Sequence, residues 1–267
     1  RHYDLGNDFY SEWLDPTMTY SSALFEVKGQ SLQSAQESKY RRLCEAVGLT
    51  AGMKVLEIGC GWGGFAEFTA REYGASVVGA TNSTRQYEYA RSRIERAGLD
   101  HLVDIRFSDF RDLGGRFDAI VSIEMFEAIG EALWERYFSA ISGLLKPGGK
   151  AALQIILIEE DRFGAYRSSP DFIQLHIFPG GALPTANRVV ASAETSALQH
   201  HETFLLGSDY VLTLEHWERR FRRNAAAITA QGFDSKFVRK WLYYLGYCRG
   251  GFASGAINVG HFLFSRP

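Results

Sequence analysis

Between residues 32 and 47 the apolar positions Leu32, Ala35, Leu43 and Val47 keep helical spacing, and Gly48 marks the stop, which predicts a helix ahead of the first strand. The pattern then changes to short apolar runs at Lys54–Ile58, Ser76–Ala80, Val103–Phe107, Phe117–Ile123 and Lys150–Leu157. Helical stretches such as Ser83–Ala97 and Ala132–Leu145 separate them, and Lys146-Pro147-Gly148-Gly149 reads as a turn ending one helix before a strand begins. Strands alternating with helices predict an α/β fold with a doubly wound, mostly parallel sheet of the Rossmann-like kind. Past Leu157 the pattern loosens. Glu159–Ala197 mixes Phe163, Tyr166, Phe172, Ile173 and Phe178 with the turn Pro179-Gly180-Gly181, and reads as a cap inserted over the strand ends. Trp217–Tyr247 is helical and rich in aromatics and arginine, and Asn258–Ser265 reads as a last strand. With no internal repeat or low-complexity linker, the expectation is one domain over 1–267. It comprises a helical segment (1–50), a core (51–157), a cap (158–200) and C-terminal helices with a strand (201–267).

Composition narrows the class. The chain has 267 residues, 46% of them hydrophobic, and a net charge of −2, enough for a large core and without the basic footprint of a nucleic-acid binder. No apolar run reaches the roughly 18 residues that a membrane span needs. Cys44, Cys60 and Cys248 stand apart without C-x-x-C spacing, so neither a disulfide framework nor a structural zinc site is expected, and a reducing cytoplasm is the default. The histidines are scattered, with His200-His201 the one adjacent pair, read as a surface or strand-end feature; no metal site is expected. Arg1 is not a methionine, so the natural N-terminus is taken as missing and targeting stays unread.

The candidate chemistry begins at Val55–Gly64, V-L-E-I-G-C-G-W-G-G, where a short strand runs into a glycine-rich turn carrying an acid. Gly59, Gly61 and Gly63 let the backbone turn tightly and bring N–H groups against a ligand. Gly59, Gly61 and Gly64 also satisfy the dinucleotide fingerprint G-x-G-x-x-G, which wants an acid about 20 residues on to hold a ribose. The next strand ends instead in Thr81-Asn82-Ser83. The acid lies inside the motif, and Glu57 followed by Gly59, Gly61 and Gly63 is the E/D-x-G-x-G-x-G pattern of S-adenosylmethionine (AdoMet) methyltransferases.

Other blocks extend the likeness. His2-Tyr3-Asp4-Leu5-Gly6-Asn7-Asp8-Phe9-Tyr10 and Leu14-Asp15-Pro16-Thr17-Met18-Thr19-Tyr20-Ser21 come first, then Val121–Glu127 and Ile177–Gly181. Asp209-Tyr210 before Thr213-Leu214, and Tyr243-Tyr244-Leu245 before Cys248, follow in order. Together they resemble the cyclopropane fatty acid synthase and mycolic acid methyltransferase family. The resemblance implies that Tyr20 and Ser21 reach over AdoMet and that the glycine loop, with Glu57, Gly59 and Gly61, receives its amino-acid end. It further implies that Asn82 and Gln86 lie near the ribose and methionine parts, and Asp109 and Phe110 near the adenine. Asp109 as a plain N-cap and Phe110 as plain core are the competing readings.

The resemblance also implies a reaction: transfer of the sulfonium methyl to an alkene in a dry pocket, with a bound bicarbonate as base and Glu127 and Tyr210 holding that anion. The match is incomplete. Ser22 stands where the family has cysteine, Ala128 and Gln154 where it has histidine, and Ala253 and His261 replace the arginine and glutamine of the final segment. Gln154 can donate through its amide but carries no charge. Methyl transfer is thus better supported than ring closure, and a methylene or methyl branch is an alternative product. The expected partners are an unsaturated phospholipid or fatty acyl chain in an apolar tunnel, with Trp241, Tyr243, Tyr244, Tyr247 and Phe252 as candidate lining. Arg219, Arg220, Arg222, Arg223, Arg239 and Lys240 could meet anionic headgroups at the inner membrane face, although a solvated helix face explains them equally well. A homodimer or a reductase partner is also compatible. Two other classes remain open, a small-molecule N-methyltransferase and a non-catalytic lipid-binding homologue.

Overall fold

The computed structural model describes residues 5–267; His2, Tyr3 and Asp4 of the opening motif lie outside the described residues. After a short helix α1 (Asn7–Ser11), α2 (Leu32–Ala46) starts at the Ser31 N-cap, whose side chain accepts from the Ser34 N–H. Five strands then alternate with helices: β1 (Lys54–Ile58), α3 (Gly64–Tyr73), β2 (Ser76–Thr81), α4 (Thr84–Arg96), β3 (Val103–Phe107), β4 (Phe117–Ile123), α5 (Trp134–Leu144) and β5 (Leu145–Ile158). The remainder runs α6 (Glu160–Ser168), α7 (Phe172–His176), α8 (Ala186–Glu194), β6 (Gln199–Leu205), α9 (Gly207–Arg223), α10 (Ala225–Ala230), α11 (Ser235–Ala253) and β7 (Ile257–Ser265).

The seven strands form one sheet in the order β3-β2-β1-β4-β5-β7-β6, with β7 antiparallel to both of its neighbours and the β3-to-β5 half parallel. The buried runs of β1 and β4 explain why they read as near-continuous apolar segments, since helices cover both faces of this half of the sheet. Three expectations change. Lys146–Gly149 is a bulge within β5 rather than a turn before it, because Leu145 already pairs with Phe117 and the register shifts before Lys150 pairs with Ala119. The helical stretch 217–247 is three helices, broken at Asn224 and between Ala230 and Ser235. Strand β6 escaped the pattern because it is an edge whose residues are largely exposed, so no apolar alternation marks it. His200 and His201 lie on it, their rings hydrogen-bonded to Thr203 and Ser265.

Two apolar clusters position the site. One joins β4, β5 and α5, with Val189 and Ala193 of α8 packed into it. The other is aromatic: Phe9, Tyr10 and Trp13 of the N-terminal segment pack against Trp217 and Phe221 of α9 and Trp241 of α11. This second cluster seats the N-terminal segment across the mouth of the sheet.

Candidate active site

A first cavity of about 350 Å³ opens at the C-terminal ends of β1, β2 and β4, at the point where the strand order reverses. Tyr20, Ser21, Glu57, Gly59, Gly61, Asn82, Gln86, Asp109 and Phe110 all line it. Gly59 and Gly61 have φ of 82° and 53°; a Cβ on Gly59 would stand 2.8 Å from Met125 Cγ, while one on Gly61 would meet nothing within 4 Å. The bare Gly61 thus leaves cavity space that any side chain would take. The Oε2 of Glu57 is buried without a partner. Burial pushes its carboxyl up to about 8, opposed by the Lys39 charge. Gln86 accepts from the Thr81 hydroxyl at 2.9 Å and sits in the first turn of α4 behind the Ser83 cap. Asp109 is an N-cap as well as a wall residue: it accepts from the Arg111 N–H and from its guanidinium at 2.7 Å, which holds its carboxyl below the usual range. Phe110 is buried edge-on to Tyr137, 5.3 Å between centroids.

A second cavity, about 780 Å³ and mostly apolar, lies between β5, α6, α7, α9 and α11. Tyr244, Tyr247 and Phe252 line it, as do Gly246 and Gly250 one turn apart on α11. Two of the expected lining residues are elsewhere. Trp241 is core against Phe9, and Tyr243 is exposed, stacked edge-on to Phe172. The two cavities share three wall residues, Tyr20, Glu124 and Ala128, and Tyr20 is tied across the boundary by a 2.7 Å hydroxyl contact with Tyr244.

The shared glutamate is the centre of the polar network. Glu124 follows β4 with φ of 50°, a conformation unusual outside glycine. Its Oε1 accepts from the Ser22 N–H at 2.8 Å and from Gln154 Nε2 at 2.7 Å, and its Oε2 accepts from the Tyr210 hydroxyl at 2.7 Å. Burial raises its carboxyl, opposed by those donors and by Lys39. Of the pair expected to hold an anion, Glu127 and Tyr210, the Tyr210 hydroxyl here donates to Glu124. Glu127 accepts from the Ile156 N–H, keeps a buried unpartnered Oε2, and is pushed up to about 8 by burial and by the neighbouring Glu124. Ser22 and Gln154 line neither cavity; both act on Glu124 from behind, Ser22 through its backbone N–H rather than its hydroxyl, which donates to the Ala23 carbonyl.

Residues 1–262 match the family model described as mycolic acid cyclopropane synthetase. The chain belongs to this family. Tuberculostearic acid methyltransferase of Mycobacterium tuberculosis is 39% identical over 97% of the chain and 62% of that protein. Cyclopropane-fatty-acyl-phospholipid synthase of Escherichia coli is 39% identical over 99% of the chain and 66% of that protein. The chain thus spans just under two thirds of the length of these relatives. Among solved structures, a mycolic acid cyclopropane synthase complexed with SAH and CTAB superposes with a TM-score of 0.93 at 30% identity, over 99% of this chain and 96% of that one. The fold is that of the family's AdoMet methyltransferases.

Within this family the two departures at Gln154 and His261 are one feature. Gln154 of β5 and His261 of β7 are register partners, and the His261 ring lies 2.8 Å from Gln154 Oε1. Burial, with Arg42 and Lys39 nearby, lowers His261 to about 3, so its ring is neutral and donates from Nε2. That bond spends the amide oxygen and turns Nε2 toward Glu124 and the Ser22 carbonyl. The two side chains that depart from the resembled pattern are thus hydrogen-bonded to each other across the strand pair. Glu124 and His261 are the functional candidates that sequence reading passed over as such. Glu124 carried a signal, since it stands inside the Val121–Glu127 block, one residue past the strand end.

Proposed function

We propose that this chain is an AdoMet-dependent C-methyltransferase that methylates a double bond of an unsaturated fatty acyl lipid, with Glu124 accepting the proton that is released. One observation carries the reading: a polar cavity and a larger apolar cavity meet at Tyr20, Glu124 and Ala128. The first suits AdoMet, because Phe110 offers an apolar face, Asn82 and Gln86 offer amides, and the unpartnered Glu57 Oε2 offers an acceptor for an ammonium group. When bound, AdoMet supplies a methyl group activated on a sulfonium. The chain's own residues do the rest. The apolar cavity holds the alkene against that methyl and keeps water from the carbocation formed when the π pair makes the new C–C bond; such positioning is worth roughly 7–11 kcal/mol. The cation then loses a proton to the Glu124 carboxylate, and the freed C–H pair either closes a three-membered ring or forms a methylene. A carboxylate raised by burial is the stronger base, and Glu127 beside it is raised too, by burial and by the Glu124 charge.

The lipid side is supported by the names of the relatives and by the apolar lining. Leu175, Tyr243 and Tyr247 stay exposed on α7 and α11, the helices that wall the second cavity, a suitable face toward a membrane surface. Among the described residues no helix is long and apolar enough to cross a membrane. The test is incubation with methyl-labelled AdoMet and vesicles of monounsaturated phospholipid, with the acyl product identified by mass spectrometry and NMR. Label in a ring or branch on the acyl chain supports the reading. Label appearing only in small amines, or cofactor binding without lipid labelling, overturns it in favour of N-methylation or a non-catalytic lipid binder.

A further inference from the structure

The strap Tyr20-Ser21-Ser22 has no strand to pair with, so side chains hold it. Ala23 N–H donates to Thr213, Phe25 N–H to Asp209, and two residues of α2 grip Ser21 itself. Gln36 Nε2 donates to the Ser21 carbonyl at 2.9 Å, and Lys39 Nζ donates to Ser21 Oγ at 2.6 Å. Lys39 is fully buried, and among the described residues no carboxylate lies within ion-pair distance of it. A buried ammonium with one hydrogen bond is an expensive way to brace a loop. An amide would do it at less cost, as Gln36 does one turn away.

The chemistry of that bond gives the lysine a purpose. Lys39 Nζ donates to Ser21 Oγ, and the Ser21 hydroxyl hydrogen is left to point elsewhere. Ser21 lines the first cavity, whose wall also carries Glu57 with its unpartnered Oε2. Burial pushes Lys39 down to about 7, and Glu124, Asp15 and Glu57 oppose it, so the carboxylates around this wall are what favour its charged form. A hydroxyl donor and an unpartnered Glu57 oxygen on the same wall are the complement of a zwitterion, whose ammonium would draw the Glu57 carboxyl, pushed up to about 8 by burial, back toward its charged form.

We propose that Lys39 is a positioning residue that fixes the Ser21 hydroxyl as a donor to the carboxylate of the AdoMet methionine end, while Glu57 takes its ammonium. This rests on reading the first cavity as the AdoMet site. The pair gives the site a means of telling an intact amino-acid tail from one lacking its carboxylate.

The experiment compares binding of S-adenosylhomocysteine and of its decarboxylated analogue by calorimetry, in wild type, Lys39→Met and Ser21→Ala, with thermal unfolding to check that each variant folds. Lys39→Met is expected to weaken S-adenosylhomocysteine about tenfold or more and the decarboxylated analogue less than about twofold, the scale of one lost charge-assisted contact. Glu57→Gln should weaken both ligands. Equal losses for both ligands in Lys39→Met and Ser21→Ala would show a merely structural brace, and no loss for either would remove Lys39 from the site; both overturn the inference. Ser21→Ala keeps the test open should Lys39→Met fail to fold. If wild type binds neither ligand, the cofactor assignment itself fails, an outcome separate from those.

Discussion

The carboxylate at the junction of the two cavities can be tested by one isosteric change, Glu124→Gln. The carbonyl oxygen of glutamine can still accept from the Ser22 N–H and from Gln154 Nε2, which lie at 2.8 and 2.7 Å from Oε1. Its amide nitrogen would then face the Tyr210 hydroxyl at the 2.7 Å now spanned by a charged hydrogen bond, so one such bond is lost and one donor must turn away. A hydrogen bond to a charged group is worth about 1.5–3 kcal/mol, so stability should fall by no more than about that. The rate should fall much further. Loss of a positioned general base costs about 10²- to 10⁴-fold, or roughly 3–5 kcal/mol of barrier. Binding of AdoMet, measured by calorimetry, should change by less than about threefold, because the groups proposed to hold it are Glu57 with the glycine loop after β1, Asn82 and Gln86 after β2, Asp109 and Phe110 after β3, and Ser21 of the strap. A second variant sharpens the point. Glu124→Gly relieves a positive φ and leaves the donors of Tyr210, Gln154 and Ser22 around a space that a small anion could enter, so added bicarbonate should restore part of its activity while leaving wild type unmoved. Lipid methylation at the wild-type rate in Glu124→Gln would refute the role of Glu124, and a bicarbonate requirement in the wild type would return the base to the diffusible anion.

Three other outcomes follow from the same geometry. Glu127 is raised from 4.5 to about 8, so the folded state binds more protons than the unfolded one between those values and its contribution to stability falls as pH rises through that window. Glu127→Gln should therefore gain thermal stability over wild type at pH 8 more than at pH 5, a difference that also separates it from Glu57, which shares the window; equal gains at both pH values would contradict the burial argument. On α11, Gly250→Leu adds a side chain where a Cβ meets nothing within 4 Å and the residue borders the second cavity, so the acyl-length preference should shift to shorter chains; an unchanged product profile from mixed acyl lengths would remove α11 from the tunnel wall. Across β5 and β7, Gln154→His and His261→Gln should each cost about 1–3 kcal/mol in denaturant unfolding by stranding buried polar atoms, and the double exchange should recover most of the loss; strict additivity would show that the two side chains are uncoupled.

Much of the architecture was legible because the middle of the parallel half of the sheet is covered on both faces, which makes β1 and β4 apolar runs with sharp ends. Strand β6 was not, since an exposed edge carries no such run. The walls of the first cavity were equally legible. Glycines and an acid at a strand-to-helix turn are local features, and the other lining residues sit at ends of adjacent parallel strands, so topology alone gathers them. What sequence could not supply was pairing at a distance. Tyr210 lies 86 positions beyond Glu124, and nothing along the chain says that its hydroxyl turns to Glu124 rather than to Glu127. The departures at Gln154 and His261 read as two separate losses until the antiparallel register put them opposite one another. Trp241 and Tyr243 were grouped with Tyr244 and Tyr247 by aromatic character, yet helical rotation sends them to the core and to solvent.

The strain at Glu124 ties these strands of argument together. A non-glycine residue at φ of 50° costs about 1–2 kcal/mol, and glycine would hold the same corner without that cost. Three donors recover it only while the carboxylate is ionised, because a protonated acid is a weaker acceptor and must place its own hydrogen among groups that are already donating. The cage therefore favours the charged form locally even though burial opposes it, and the nearby Lys39 acts on the same side of the balance. A proton taken from the substrate would leave Glu124 in its less favoured state, beside a Glu127 carboxyl that burial also pushes up. Passing that proton on restores three charged hydrogen bonds at once, so the arrangement that makes Glu124 a base also drives its return to the form needed for the next turnover.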